Sequence, residues 1–235
     1  MAYTAANFVQ RFMDVTMDQT NVRWTAPEII RYANDGQRDI AMYRPDAITT
    51  DAVLTTVAGS KQTLPAGATK LIHITRNGTT GRVVTPIKRE MLDASTPLWH
   101  NTTQSAVALH YMYDERDPLH YYVYPPSNGS ATLQGVYANV PTDITTPSSD
   151  FLAGVTGNLS VGDIFANALL DYTLFRAYSK DSDDIGNMER AAKHYGLYAA
   201  ALGIEAKATQ MYSPNQNSPL NNAMPKSATK PVIGA

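Results

Sequence analysis

The sequence predicts an α+β protein: a four-helix bundle built from N- and C-terminal helix pairs, an inserted small antiparallel β-sandwich or barrel, and an extended C-terminal arm. Three observations predict it. Apolar residues recur at helical spacing before residue 48 and again after residue 155. Between these segments the period drops to two, with turn signals separating short runs. Beyond residue 208, Pro214, Pro219, Pro225 and Pro231 interrupt a polar stretch with no period of its own. The expected units are therefore 1–48 with 155–208 as the bundle, 49–154 as the β-domain, and 209–235 as the arm.

The first helix is predicted over about Tyr3 to Met17, with Phe8, Val9, Phe12 and Val15 on one stripe. The second starts at Thr25-Ala26-Pro27-Glu28, which has an N-cap residue, an early proline and a capping-box glutamate. Ile29, Ala33, Ile40 and Tyr43 form its apolar stripe, and Pro45 ends it. Short strands are expected around Val53 to Val57, Lys61 to Leu64, Lys70 to Thr75 and Arg82 to Thr85. Ala58-Gly59-Ser60, Pro65-Ala66-Gly67 and Asn77 to Gly81 read as the turns between them. Lys88 to Ala94 reads as a short helical excursion. Val107 to Tyr113 and Leu119 to Tyr124 read as a hairpin around Asp114 to Pro118, followed by a strand from Ser130 to Val140.

The last third returns to a helical period. Ile164, Phe165, Ala168, Leu169, Tyr172 and Phe175 form one stripe, and Leu170, Leu174 and Ala177 another. A helix apolar on most sides belongs inside the bundle. Asp181 to Asp184 offer caps for a fourth helix reaching about Ala208, with a stripe of Met188, Ala192, Tyr195, Ala199, Leu202 and Ala206. Gly196 and Gly203 weaken that helix by about 1 kcal/mol each, which suggests a closely packed neighbour. The arm's composition predicts order only on assembly. Its anchors are Tyr212, Leu220, Met224, Val232 and Ile233, with Lys226 and Lys230 as its only charges.

Composition narrows the function. The chain has 235 residues, no cysteine, and a formal charge of −2. Disulfides and thiolate chemistry are excluded, and tight charge-driven nucleic-acid binding is disfavoured. Charged residues are 17% of the chain, and mean hydropathy is −0.27, so uncharged polar groups take their place. Such a surface is cheap to desolvate and suits protein contacts. No basic-then-apolar leader opens the sequence, and no run is long enough to span a membrane.

The candidate chemistry is thin. Asp181-x-Asp183-x-Ile185-Gly186 only imitates a calcium loop, because Ile185 and Ala192 stand where oxygen ligands are needed. His73, His110 and His120 fall on strands without a supporting carboxylate pattern. Asp114, Glu115 and Asp117 sit at a hairpin tip, where carboxylates stay solvated. No catalytic, cofactor-binding or metal-binding residue is expected. Tyr111, Tyr113, Tyr121, Tyr122 and Tyr124 form a dense patch suited to core and protein interface. Stacking on sugars, as in a carbohydrate-binding module, is the alternative.

A series of short motifs resembles the head–tail adaptor (connector) proteins of tailed bacteriophages. It runs from Trp24-Thr25 through Asn34-Asp35-Gly36-Gln37 to Arg44-Pro45-Asp46, then Gln62 to Pro65 and Arg76-Asn77-Gly78. Asp93 with Pro97 to His100, Tyr113 to Pro118 and Tyr122 to Pro126 follow, and then Leu170 to Asp181 and Arg190 to Tyr195. The likeness spans about residues 20 to 200, and the order and spacing carry it.

The resemblance implies a non-enzymatic virion protein at the portal vertex, forming a ring of about twelve copies between portal and tail. It implies a bundle facing the portal and neighbouring copies, and a β-domain facing the tail nozzle or tail tube. DNA would pass through the ring without being gripped, and no membrane is involved. Tyr212, Leu220, Met224, Lys226, Lys230, Val232 and Ile233 are then expected to bind the portal or a neighbouring subunit. Asp114, Glu115, Arg116, Asp117 and Tyr122 are expected to bind the tail component.

Overall fold

The computed structural model describes residues 3–148, 151–180 and 185–203. Helix α1, Ala5–Thr16, begins at Thr4, whose hydroxyl accepts from the Asn7 N–H at 3.2 Å. Phe8, Val9 and Phe12 are buried as expected, but Met13 takes the core place expected for Val15, which is exposed. Helix α2, Ala26–Tyr43, has Thr25 as its extended N-cap and Pro27 in its first turn. Its capping box does not form. The Thr25 hydroxyl makes no capping bond, and the Glu28 carboxylate accepts from Tyr32 Oη and Lys180 Nζ, at 2.8 and 2.7 Å.

Helix α3, Arg89–Ser95, matches the short excursion within the β-region. Helices α4, Ala166–Lys180, and α5, Ile185–Leu202, complete the helical part. Residues of α1, α2, α4 and α5 share one apolar core that includes Phe8, Phe12, Ile29, Leu169 and Tyr198. Helix α4 is its centre, with Leu169, Leu170, Thr173, Leu174, Ala177 and Tyr178 all buried. Ile164 does not join them; it is 84% exposed in the 3-10 turn Asp163–Phe165 that precedes α4. Gly36 lets α2 and α4 approach closely, since a Cβ there would lie 2.7 Å from both Leu169 and Tyr172 side chains.

The stripe expected on α5 holds at its C-terminal end, where Ala199 and Leu202 are buried, but is rotated before it. There Met188, Ala192 and Tyr195 are exposed, and Asn187, Ala191 and Tyr198 are buried instead. Polar pairing sets this phase: His194 Nδ1 meets Asp171 Oδ1 at 2.9 Å, and Tyr198 Oη donates to Asp39 of α2. Nothing among the described residues lies within 4 Å of the Cβ position of Gly196, so no neighbour there explains that glycine. The capping residues Asp181 to Asp184, Ala206 and the whole arm from Thr209 lie outside the described residues.

Among the described residues seven strands make two sheets that do not close into a barrel. The first has the order β1-β7-β3, built from β1, Thr49–Thr55, β7, Thr132–Asn139, and β3, Ala68–Asn77, all antiparallel. The second has the order β2-β6-β5-β4. Its members are β2, Ala58–Thr63, β6, His120–Asn128, β5, His110–Tyr113, and the two-residue β4, Thr85–Pro86, which runs parallel to β5. The expected turn at Ala58-Gly59-Ser60 is instead part of β2. Gly59, at φ +112°, absorbs a register shift there, a bulge that glycine accommodates without steric cost.

The Gln62 side chain braces this corner: Val57 N–H donates to its Oε1 at 2.7 Å, and its Nε2 donates to the carbonyls of Val57 and Gly59 at 2.9 Å. Leu54, Leu71, Ile74, Tyr121, Val123 and Leu133 form the core of the β-region. A smaller cluster, Leu92, Trp99 and Met112, packs α3 and the following turn on the other face of the second sheet.

Three buried amides tie irregular segments down. Asn34 bonds both backbone groups of Ile144, and Gln37 Oε1 accepts from the Ser160 N–H at 2.6 Å. The chain leaving the β-region is thereby fastened twice to one face of α2. Asn77 does the same for the hairpin after β3, donating to the carbonyls of Arg82 and Ala108 and accepting from the Ala108 N–H.

Candidate interaction site

The β5–β6 hairpin alternates strictly. Tyr111, Tyr121 and Val123 point into the β core, while Met112, Tyr122 and Tyr124 face α3. The hairpin turn is held by its own polar groups: the Asp117 N–H donates to the Asp114 carbonyl at 3.0 Å, and the Arg116 N–H to Asp114 Oδ1 at 3.0 Å. Tyr113 Oη donates to the Pro118 carbonyl at 3.2 Å, and burial pushes that phenol up from its usual pKa. Lys70 Nζ on β3 reaches Glu115 at 2.7 Å and ties the tip to the first sheet.

Between this turn and the start of α3 lies an open groove of about 760 Å³. Ile87, Met112 and Tyr122 supply its apolar surface; Lys88, Arg89 and Glu90 form one charged wall, and Asp114, Glu115 and Arg116 the other. Four of the five residues expected to meet a tail component, Asp114, Glu115, Arg116 and Tyr122, thus line one cavity. Asp117 does not line it; its carboxylate engages His120 Nδ1 at 2.7 Å. The side supplied by Ile87 to Glu90 was missed in the sequence, where the only signal was a charge triplet opening a short helix.

Tyr122 is fixed on several sides. Trp99 meets it edge-on at 6.1 Å, His100 at 5.8 Å, and the Arg89 guanidinium stands 5.4 Å from its ring centre. Trp99 Nε1 in turn donates to Asp93 Oδ1 at 2.8 Å, and His100 Nδ1 meets Ser60 Oγ at 2.7 Å. A ring so enclosed offers a poor platform for a sugar. It suits a rigid contact point with charged rims of both signs, the pattern of a protein interface.

The three strand histidines are not brought together. His73 is exposed on β3, His110 meets Thr85 Oγ1 at 2.6 Å, and His120 meets Asp117. Among the described residues no group of three or more His, Asp or Glu could hold a metal ion. No helix among them is long and apolar enough to cross a membrane. The expected arm contacts, Tyr212, Leu220, Met224, Lys226, Lys230, Val232 and Ile233, lie outside the described residues.

The motif residues quoted above turn out to be fixing points of the scaffold. Trp24 Nε1 donates to the Ala177 carbonyl, Asn34 and Gln37 hold the returning chain, and Gln62, Asn77 and Trp99 each anchor a corner. A family model described as SU10 adaptor protein matches residues 3–221. The chain belongs to that family. Membership agrees with the head–tail adaptor resemblance and makes this a structural phage protein of the head-to-tail junction. Curated proteins give no match.

Proposed function

We propose that the chain is one subunit of a ring of about twelve copies seated between portal and tail and lining the DNA channel. The family match over residues 3–221 carries this reading. Helices α1, α2, α4 and α5 act as a four-helix bundle, residues 1–48 and 155–208, that contacts the portal and the neighbouring copies. Residues 49–154 act as the inserted unit facing the tail, its two sheets packed as a sandwich. The groove between the hairpin turn and α3 receives the next tail component through Asp114, Glu115, Arg116 and Tyr122. The arm, residues 209–235, holds the portal or a neighbouring copy. A formal charge of −2 supports passage of DNA without capture.

The role is structural, not catalytic. Native mass measurement and electron microscopy of the chain mixed with its portal protein test it. A closed ring on the portal is expected; a chain that stays monomeric and never binds portal would overturn the reading.

A further inference from the structure

Among the described residues, strand β1 is an open edge. It lies at the end of the order β1-β7-β3, and its register with β7 runs without a shift from Thr49↔Ala138 to Thr55↔Thr132. Just outside that run, the Asn139 N–H donates to the Ile48 carbonyl and the Thr56 N–H to the Ala131 carbonyl. The even-numbered residues of β1 therefore turn their backbone groups toward β7, and Thr49, Asp51, Val53 and Thr55 turn theirs outward. At Val57 the same outward N–H and carbonyl are already taken by the Gln62 side chain. Asp51, Val53 and Thr55 are also exposed on the outer face, Val53 at 56%. The edge has no bulge, proline or lysine to discourage pairing, and its residues are mostly β-branched.

Residues 219–231 of the arm have a matching asymmetry. Pro219, Pro225 and Pro231 all fall on odd positions, and the even-numbered Pro214 precedes the segment. In an extended chain their missing N–H groups then lie on one side only, and every residue from Leu220 to Lys230 with an even number keeps an N–H on the other. Such a segment can join a sheet as an outermost strand and can accept no further strand beyond it. One antiparallel register also matches the side chains: Met224 opposite Val53 and Lys226 opposite Asp51, with Asn222 opposite Thr55 and Ala228 opposite Thr49. Lys226 and Lys230 are the only charges in residues 209–235, and Asp51 is the only charge on β1.

We infer that residues 220–230 of this chain add to the free edge of β1 as an antiparallel strand. The 17 steps from Gly203 to Leu220 extend to about 60 Å at 3.3–3.6 Å per residue, longer than the roughly 45 Å diameter of a compact domain of this length, so the tether leaves β1 of the same copy or of an adjacent one open to the arm. The pairing refines the arm's role and needs no portal, so its failure would leave the adaptor reading standing.

The chain lacks cysteine, so introduced thiols report directly. Facing residues of such a pair have Cα atoms about 5.5 Å apart, within disulfide range. Under mild oxidation the Val53→Cys/Met224→Cys variant is expected to cross-link at least about tenfold faster than Val53→Cys/Ala223→Cys. Gel mobility tells a bond within one chain from one between two copies, and either supports the pairing. Equal rates, or no cross-link, would overturn it. Hydrogen exchange on the full chain gives a second test. The amides of Asp51, Val53 and Thr55 should be protected, should stay so in Ala223→Pro, and should lose protection in Met224→Pro. Identical behaviour of the two proline variants, or protection that survives removal of residues 209–235, would refute the assignment.

Discussion

Asn34 and Ile144 are joined at both polar groups. Asn34 Nδ2 donates to the Ile144 carbonyl at 2.9 Å, and Asn34 Oδ1 accepts the Ile144 N–H at 2.9 Å. A single side chain on α2 thus stands in for a strand partner of a segment that has none. Beside it, Gln37 Nε2 donates to Asn34 Oδ1 at 3.3 Å and keeps the amide oriented.

Replacing Asn34 with alanine leaves a buried N–H and a buried carbonyl unpaired. The expected loss is about 2–4 kcal/mol of stability, since each orphaned group costs about 1–3 kcal/mol. Asn34→Asp should lose part of that, because it keeps the acceptor and removes the donor. Urea unfolding of the three proteins measures both, and an Asn34→Ala midpoint equal to that of the parent would contradict the clamp.

Gly36→Ala tests the close approach of α2 and α4. The new methyl would meet Leu169 and Tyr172 at 2.7 Å, inside contact distance. The gain in helix propensity, about 1 kcal/mol, is smaller than the overpacking cost of about 1–3 kcal/mol. Net destabilisation is expected, visible as a lower Tm. Leu169→Ala alone loses about 2–5 kcal/mol of core burial, but in that background Gly36→Ala should cost less than in the parent, with only the Tyr172 contact left to clash.

Alkaline pH should weaken the fold through its tyrosines. Burial, then the bond to Asp39, raises the Tyr198 phenol above its ordinary value, and burial with Glu28 pushes Tyr32 to about 12. Below the unfolded pKa of about 10 both states are protonated and the full stability is present. Above it the unfolded chain releases protons that the folded chain retains, so stability falls as pH rises toward 12 and beyond. Denaturation midpoints between pH 8 and 12 measure the slope, which Tyr198→Phe should make shallower.

Reversing two of the groove's three positive charges should separate binding from folding. Arg89→Glu with Arg116→Glu removes a ring contact to Tyr122 and an ion pair with Asp93, both at the surface and each worth up to about 1 kcal/mol. Tm should change little. Co-sedimentation with the tail component should fall at least about tenfold, as expected when rim charges of the wrong sign are juxtaposed. Unchanged co-sedimentation would place the tail contact elsewhere.

What the sequence made legible was whatever periodicity encodes. The Phe8–Phe12 stripe, the buried character of α4 and the alternation of the tyrosine hairpin were all readable because hydrophobic burial alone decides them. The phase of the first part of α5, before Ala199, was not. Its rotation follows from His194 on Asp171 and Tyr198 on Asp39, pairings between residues 23 and 159 positions apart that no local window contains. Gly59 misled for a related reason. A glycine with positive φ looks the same in sequence whether it turns the chain back or bulges a strand that continues. In the groove, the hairpin half was marked by its aromatic and acidic residues, whereas Lys88 and Arg89 became visible only when α3 folded over Met112.

The brace that Gln62 places on Val57 has a consequence for growth of the first sheet. An incoming strand finds four residues with vacant ladder positions and then an end-stop, a seat already filled from within. Edge-to-edge stacking of loose copies is thereby limited in length, and a lodger of the right size is measured before it is admitted.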